Sequence, residues 1–145
     1  MPYTYDYPHM AVTVDAVVFR DDPEPSVLLI RRGRDPHAGK WAIPGGFAEM
    51  DETLLNAAQR ELQEETGLGG VSLQFLHYFD AVDRDPRERT LSLGFWGVVA
   101  SSADTVKAAD DAADVDWHPL SKLPPLAFDH ADMLERAVRA WRTTS

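Results

Sequence analysis

The chain has 145 residues, 44% hydrophobic and 26% charged, with no cysteine, which predicts one globular domain over residues 1–145. Fourteen bases against twenty-four acids leave a formal charge of −10, which disfavours nucleic-acid backbones and anionic membrane surfaces as partners. No apolar run approaches the roughly 18 residues of a spanning helix, residues 1–8 lack a secretory pattern, and without cysteine there is no disulfide or thiolate chemistry, so a cytoplasmic enzyme or binding domain is expected.

Ala11 to Phe19 (AVTVDAVVF) and Val27 to Arg31 (VLLIR) are β-rich runs separated by DDPEPS, a hairpin signature. A polar loop, RGRDPHAGK, leads to Trp41 and then to AIPGG, a short apolar stretch ending in a glycine turn. Glu52 to Thr66 reads as the strongest helix, with Asp51 available to cap its start and Gly67 to end it. Leu54, Ala58 and Leu62 recur every four residues as its buried stripe, with Glu61, Glu64 and Glu65 on neighbouring faces.

Val71 to Phe79 and Leu91 to Ala100 are predicted strands able to pair across the charged loop DAVDRDPRER. Ser101 to Asp116 is small and acidic and reads as a loop or helical turn, followed by a short strand at Val115 to His118. Asp129 to Trp141 is an amphipathic helix with Met133, Leu134, Ala137, Val138 and Trp141 on its apolar side. Interleaved strands and helices predict an α/β fold, a mixed sheet flanked by helices.

The chemistry concentrates between Gly46 and Leu68, GFAEMDETLLNAAQRELQEETGL. Glu61 and Glu65 stand one helical turn apart, so both carboxylates can reach one cation, and Glu64 is three residues from Glu61. Three carboxylates this close repel one another, and no lysine occurs between Trp41 and Val106 to offset them. A hard divalent cation suits such oxygen donors, and Mg²⁺ bridges carboxylates to substrate phosphates. Arg60 can pair with Glu52 or Glu64, and the pair Gly45 and Gly46 permits a tight turn whose carbonyl can approach the metal.

The spacing Gly46, Glu52, Arg60, Glu61, Leu62, Glu64, Glu65, Gly67, Leu68 matches the Nudix box completely, and the chain resembles the Nudix hydrolases. Chance would produce this pattern in such a chain on the order of 10⁻⁷ of the time. The resemblance implies an α/β/α sandwich and metal-dependent cleavage of a nucleoside diphosphate linked to another moiety. It implies Glu61, Glu65 and Glu64 as ligands of Mg²⁺ (or Mn²⁺), with the Gly45 carbonyl as another. Arg60 and Glu52 would maintain the geometry, and Glu64 or Glu65 is a candidate base. Distant loops supply the base in some members, which makes Asp110 and Asp111 candidates here.

Four further segments, YPHMAVTVDAVVF, GKWAIPGGF, RDPRERT and LPPLAFDHADML, are similar to the bacterial ADP-ribose pyrophosphatase branch over almost the whole chain. Glu88 stands where that branch usually has glycine, and Val82 where proline is common, so substrate identity is more open than reaction type. The implied reaction converts ADP-ribose or a related nucleoside diphosphate sugar to AMP and a sugar phosphate. Sanitation of oxidised nucleoside triphosphates and ADP-ribose sensing by a regulator stay open. The intact box, and the lack of a helix-turn-helix after the last predicted helix, favour the enzyme. Relatives by this resemblance often form a homodimer, but no seam is identifiable in the sequence.

Arg31 and Arg32 follow a strand, and Arg84, Arg87 and Arg89 share a loop; guanidinium forks suit phosphate oxygens. Of these, Arg32, Arg84 and Arg89 are the expected substrate contacts. Trp41, Phe47 and Phe79 are candidates to stack on a base, with Phe47 preferred, whereas His37, His77, His118 and His130 show no metal spacing. Residues 46–68 hold six acids and one arginine, and residues 101–116 hold five acids and one lysine, so the excess charge is almost wholly local.

Overall fold

A computed structural model describes residues 3–21, 24–100 and 112–144. Its elements are β1 (Ala11–Arg20), β2 (Ser26–Arg32), β3 (Trp41–Ala42), β4 (Gly45–Phe47), α1 (Leu54–Thr66), β5 (Gln74–Phe79), β6 (Thr90–Val99), β7 (Ala112–Pro119) and α2 (His130–Thr143). The strands form one mixed sheet in the order β3-β2-β1-β6-β5, with β4 also pairing β1 and β7 pairing β2. The expected β1–β2 hairpin is present, but only Phe19↔Val27 and Arg20↔Ser26 pair. Strand β1 instead runs parallel to β6 along its whole length, Ala11↔Thr90 to Arg20↔Val99. Strands β5 and β6 pair antiparallel, as the sequence predicts.

Strand β1 is central and buried on both faces, so its alternating side chains feed two cores. Val14, Ala16 and Val18 pack with Leu28, Phe95 and the α1 residues Ala57, Ala58 and Leu62. Val17 and Phe19 pack with Val27, Leu29, Trp96 and the α2 residues Met133, Leu134 and Ala137. Each helix therefore covers one face, the expected α/β/α sandwich. No described helix is long and apolar enough to cross a membrane.

Three local expectations change. Helix α1 begins at Leu54, because the hydroxyl of Thr53, not the Asp51 carboxylate, accepts the Asn56 N–H at 3.1 Å. Glu52 is thereby left outside the helix, while the Gly67 stop at φ 77° is as predicted. The inner stripe is Ala57, Ala58, Leu62 and Thr66, and Leu54, expected in it, is 38% exposed in the first turn. The strand expected at Val115 to His118 is present and starts earlier, so that residues 112–114, expected as loop, belong to β7, where pairing with β2 overrides their weak strand propensity.

Leu62→Ala is expected to lower the unfolding free energy by about 2–5 kcal/mol through an unfilled core cavity. Leu54→Ala should cost under about 1 kcal/mol. Urea titration of both variants measures the difference, and equal losses would contradict this packing.

Candidate active site

One cleft of about 420 Å³ opens between the second half of α1, the β4 turn and the loops before β6 and α2. Strand β4 lies against β1 with Asp15↔Gly45 and Val14↔Gly46 in register. A Cβ at Gly45 would collide with the Val14 carbonyl and the Asp15 carboxylate, and one at Gly46 with the Glu61 carboxylate. Only glycine fits at Gly45, where the obstacle is backbone, and a side chain at Gly46 would displace the Glu61 carboxylate.

Arg60 organises the acids beside it. Its Nε and Nη2 donate to Glu52 at 3.0 and 2.6 Å, its Nη1 donates to Glu61 at 2.8 Å and Glu64 at 3.2 Å, and Nη2 also donates to the Phe47 carbonyl at 3.1 Å. Its pKa is driven up by the bond to Glu52 above all. Glu52 accepts the Glu49 N–H as well, at 2.9 Å, and its carboxyl is held below the usual range, chiefly by Arg60. The pairings of Arg60 with Glu52 and with Glu64 that the sequence allows are both present.

Glu61 and Glu65 line the cleft; Glu64 does not. The Glu64 side chain is 58% exposed and is held by Arg60, one turn before it; it lies about 100° around the helix from Glu65. Burial pushes the Glu61 carboxyl up, against the pull of Arg60. Burial acts more strongly on Glu65, pushing it to about 8, with Glu61 and Asp15 adding repulsion and the Gly45 N–H, 2.7 Å from its Oε1, opposing.

The opposite wall is basic and aromatic. Arg32 donates from Nε to the Pro36 carbonyl at 2.6 Å and lies over the Phe128 ring, 5.0 Å from its centroid. Arg84, 3% exposed, makes a fork to Asp129 at 2.9 and 2.6 Å. Arg87 makes a fork to Asp85 and lies over Phe47. The expectation for Arg89 is not met: its guanidinium donates to the Asp80 carbonyl at 2.7 Å, outside the cleft, and Arg87 takes the place in it. Phe47 lines the cleft, whereas Trp41 and Phe79 pack against the α2-side core. Asp110 and Asp111 lie outside the described residues.

Under the floor, Asp15 accepts the Ser92 hydroxyl and faces the Nε2 of His130 at 3.6 Å, while His130 Nδ1 accepts the Ile43 N–H at 3.0 Å. Burial lowers the His130 pKa, which favours the neutral ring. Asp15, Asp85, Arg87 and Phe128 were not singled out as site residues from sequence. Asp15 carried a signal, the one charge inside the apolar run AVTVDAVVF, and Arg87 shared the arginine cluster of its loop; Asp85 and Phe128 carried none.

Among the described residues no three acidic or histidine groups form a ready metal cluster. The donor chemistry nonetheless suits a hard cation: two carboxylates on successive turns, one of them half-neutralised by an arginine shared among three acids and the other destabilised as an anion by burial. Mg²⁺ retains waters and takes substrate oxygens rather than requiring a full protein cage.

The NUDIX domain family matches residues 9–137. An ADP-ribose pyrophosphatase of Methanocaldococcus jannaschii is 38% identical over 94% of the chain and 77% of its own length. The ADPR responsive transcriptional repressor NtrR of Acinetobacter baylyi is 33% identical over 91% of the chain, which spans about half of that protein, 54%. The NUDIX domain of Shewanella oneidensis NrtR complexed with ADP ribose superposes with TM-score 0.86 at 31% identity, over 94% of each chain.

A carboxyl raised to about 8 when folded, against about 4.5 unfolded, contributes stability that is complete below the lower value and lost as pH rises through the upper one. In chelator, the Tm of the protein should therefore fall between pH 5 and 8 through Glu65. Glu65→Gln should flatten that fall and raise Tm at pH 8 by roughly 3 °C or more. Calorimetric scans across this range check it, and parallel curves for the two proteins would count against the assignment.

Proposed function

The chain belongs to the Nudix family as a pyrophosphohydrolase, and we propose that it hydrolyses the pyrophosphate of ADP-ribose or a closely related nucleoside diphosphate sugar to AMP and a sugar phosphate. The observation that carries the reading is the pairing, in one cleft, of the Glu61 and Glu65 carboxylates with a facing wall of Arg32, Arg84 and Arg87. Such a cleft addresses a diphosphate from both sides, through a cation on one and guanidinium groups on the other.

Glu61 and Glu65 would hold Mg²⁺ or Mn²⁺, with the backbone at Gly45 beside them. When bound, the cation supplies neutralisation of the diphosphate and acidification of water. The protein's own part is positional. Arg60 fixes Glu61 and, through Glu52, the segment leading into α1; Glu64 completes the grip on Arg60 instead of entering the cleft. Arg32 is oriented by Pro36 and Phe128 toward phosphate oxygens, and Arg84 anchors the loop before β6 to the start of α2.

ADP-ribose sensing without turnover is a second reading, favoured by the likeness to the repressor and to the ADP-ribose complex. The intact carboxylate pair speaks for turnover. A panel of ADP-ribose, NADH, nucleoside diphosphate sugars, dinucleoside polyphosphates and oxidised dGTP, with Mg²⁺ and with chelator, separates these. Hydrolysis of ADP-ribose that stops in chelator and drops at least about tenfold in Glu65→Gln is the expected result. Activity surviving chelation would overturn the metal assignment, and ADP-ribose binding without turnover would select the sensor.

A further inference from the structure

The head of α2 holds one element from each wall of the cleft. Asp129 accepts both bonds of the Arg84 fork from the basic wall, at 2.9 and 2.6 Å. Its neighbour His130, 4% exposed, accepts the Ile43 N–H on Nδ1 at 3.0 Å. Ile43 opens the turn that ends at Gly45, and the Gly45 N–H donates to Glu65 of the acidic wall at 2.7 Å. Pro44 has no N–H. Both amide donors of this turn are therefore held by side chains remote in sequence, and one of those is His130.

The path of the backbone explains why a side chain is needed there. Trp41 and Leu126 form a parallel bridge, and the Ala127 N–H donates to the Trp41 carbonyl at 2.8 Å. Phe128, at φ 53°, then turns the chain out of this pairing toward α2, in a left-handed conformation that a residue with a Cβ keeps only where its surroundings impose it. Ile43 is buried, and a buried N–H without an acceptor is costly. It takes a ring nitrogen where a continuing strand would have offered a carbonyl. A neutral imidazole has one donor and one acceptor nitrogen. With Nδ1 accepting, the proton is on Nε2, which faces the Asp15 carboxylate at 3.6 Å, and Asp15 is itself fixed by the Ser92 hydroxyl. Asp15 thus favours the one tautomer that can receive Ile43.

We propose that His130 is a positioning residue that seats the turn at residues 43–45 against the head of α2 and so sets the separation of Glu65 from Arg84, with Asp15 holding the ring in the required tautomer. The kinetic consequence rests on the reading of the cleft as a pyrophosphohydrolase site. A ring that only filled space could be replaced by an apolar side chain without kinetic loss. A ring that spaces the walls acts on the transition state, where a displacement of about 1 Å costs on the order of 100-fold in rate.

Three substitutions separate the two roles. His130→Leu removes both ring nitrogens, His130→Asn returns an acceptor at the place of Nδ1, and His130→Gln offers one only a bond further out, toward Asp15. Each is measured by steady-state kinetics on the substrate that the panel selects, and by NMR hydrogen exchange of the Ile43 and Gly45 amides without Mg²⁺, which needs no turnover. His130→Leu should lower kcat about tenfold or more with KM within about threefold. It should also speed exchange at Ile43 and Gly45 about tenfold or more, while the Val17 amide in β1 keeps its protection. His130→Asn should recover most of both losses, and His130→Gln neither. An unchanged kcat in His130→Leu, a loss carried by KM alone, or asparagine no better than glutamine would overturn the proposal. Should His130→Leu not fold, the asparagine and glutamine pair decides. Exchange in the expected order, in a protein that hydrolyses no member of the panel, would remove the functional reading and leave the hold of His130 on the turn standing. Turnover that persists through all three substitutions would do the reverse.

Discussion

Arg60 is the contact on which the site depends. A helix that carries Glu61, Glu64 and Glu65 within two turns, beside Glu52, accumulates negative charge with no lysine near in sequence. One guanidinium answers it by meeting three of those carboxylates and a carbonyl of β4 at once. The planar fork is essential to that arrangement, since an ammonium offers no rigid set of divergent donors. The same contact joins α1 to β4, so compensation of charge and placement of the glycine turn are one event. What Arg60 does not reach is Glu65, and that leaves one buried carboxylate whose charge burial opposes.

The two-sided sheet explains why such a site can be built there. Strand β1 uses one face for α1 and the other for α2, and at Asp15 its α2 face becomes polar just where Gly45 pairs with it. Asp15, Ser92 and His130 then connect β1, β6 and α2 beneath the cleft. A buried carboxylate is expensive unless hydrogen-bonded, and this one is bonded to a hydroxyl and faces a neutral imidazole. The polar chain costs the core some apolar packing. In return it fixes the Ile43 N–H through His130, one step before the turn that meets Glu65.

Much of this was legible before any coordinates. The one-turn spacing of Glu61 and Glu65 put both carboxylates on one helix edge, and Arg60 was in reach of Glu52 and Glu64, as the structure pairs them. The long-range choices were not legible. Nothing local distinguishes a hairpin-paired β1 from one running parallel to β6, since both satisfy the same alternation. Thr53 and Asp51 are both good caps, and only the path of the chain selects between them. Arg87 and Arg89 share a loop and a chemistry, but the backbone turns one inward and the other to Asp80. The left-handed conformation of Phe128 has no sequence signature because the neighbours enforce it, not the residue.

The cleft also has to remain open although acids and arginines face each other across it. Arg32 and Glu65 feel one another electrostatically, each shifting the other's titration. Direct pairing would neutralise both and fill the space. Each is instead bound to a neutral backbone group, Arg32 to the Pro36 carbonyl and Glu65 to the Gly45 N–H, and Arg84 and Arg87 are bound to Asp129 and Asp85 on their own side. These anchors hold the opposite charges on their own sides of the cleft. The −10 of the chain is consistent with this arrangement, for the acids are gathered where a cation can offset them and the phosphate-facing wall stays basic. Under the proposed reaction, a phosphate ligand that comes with a divalent ion would meet both walls, and one that comes without would face the Glu61 and Glu65 carboxylates unscreened.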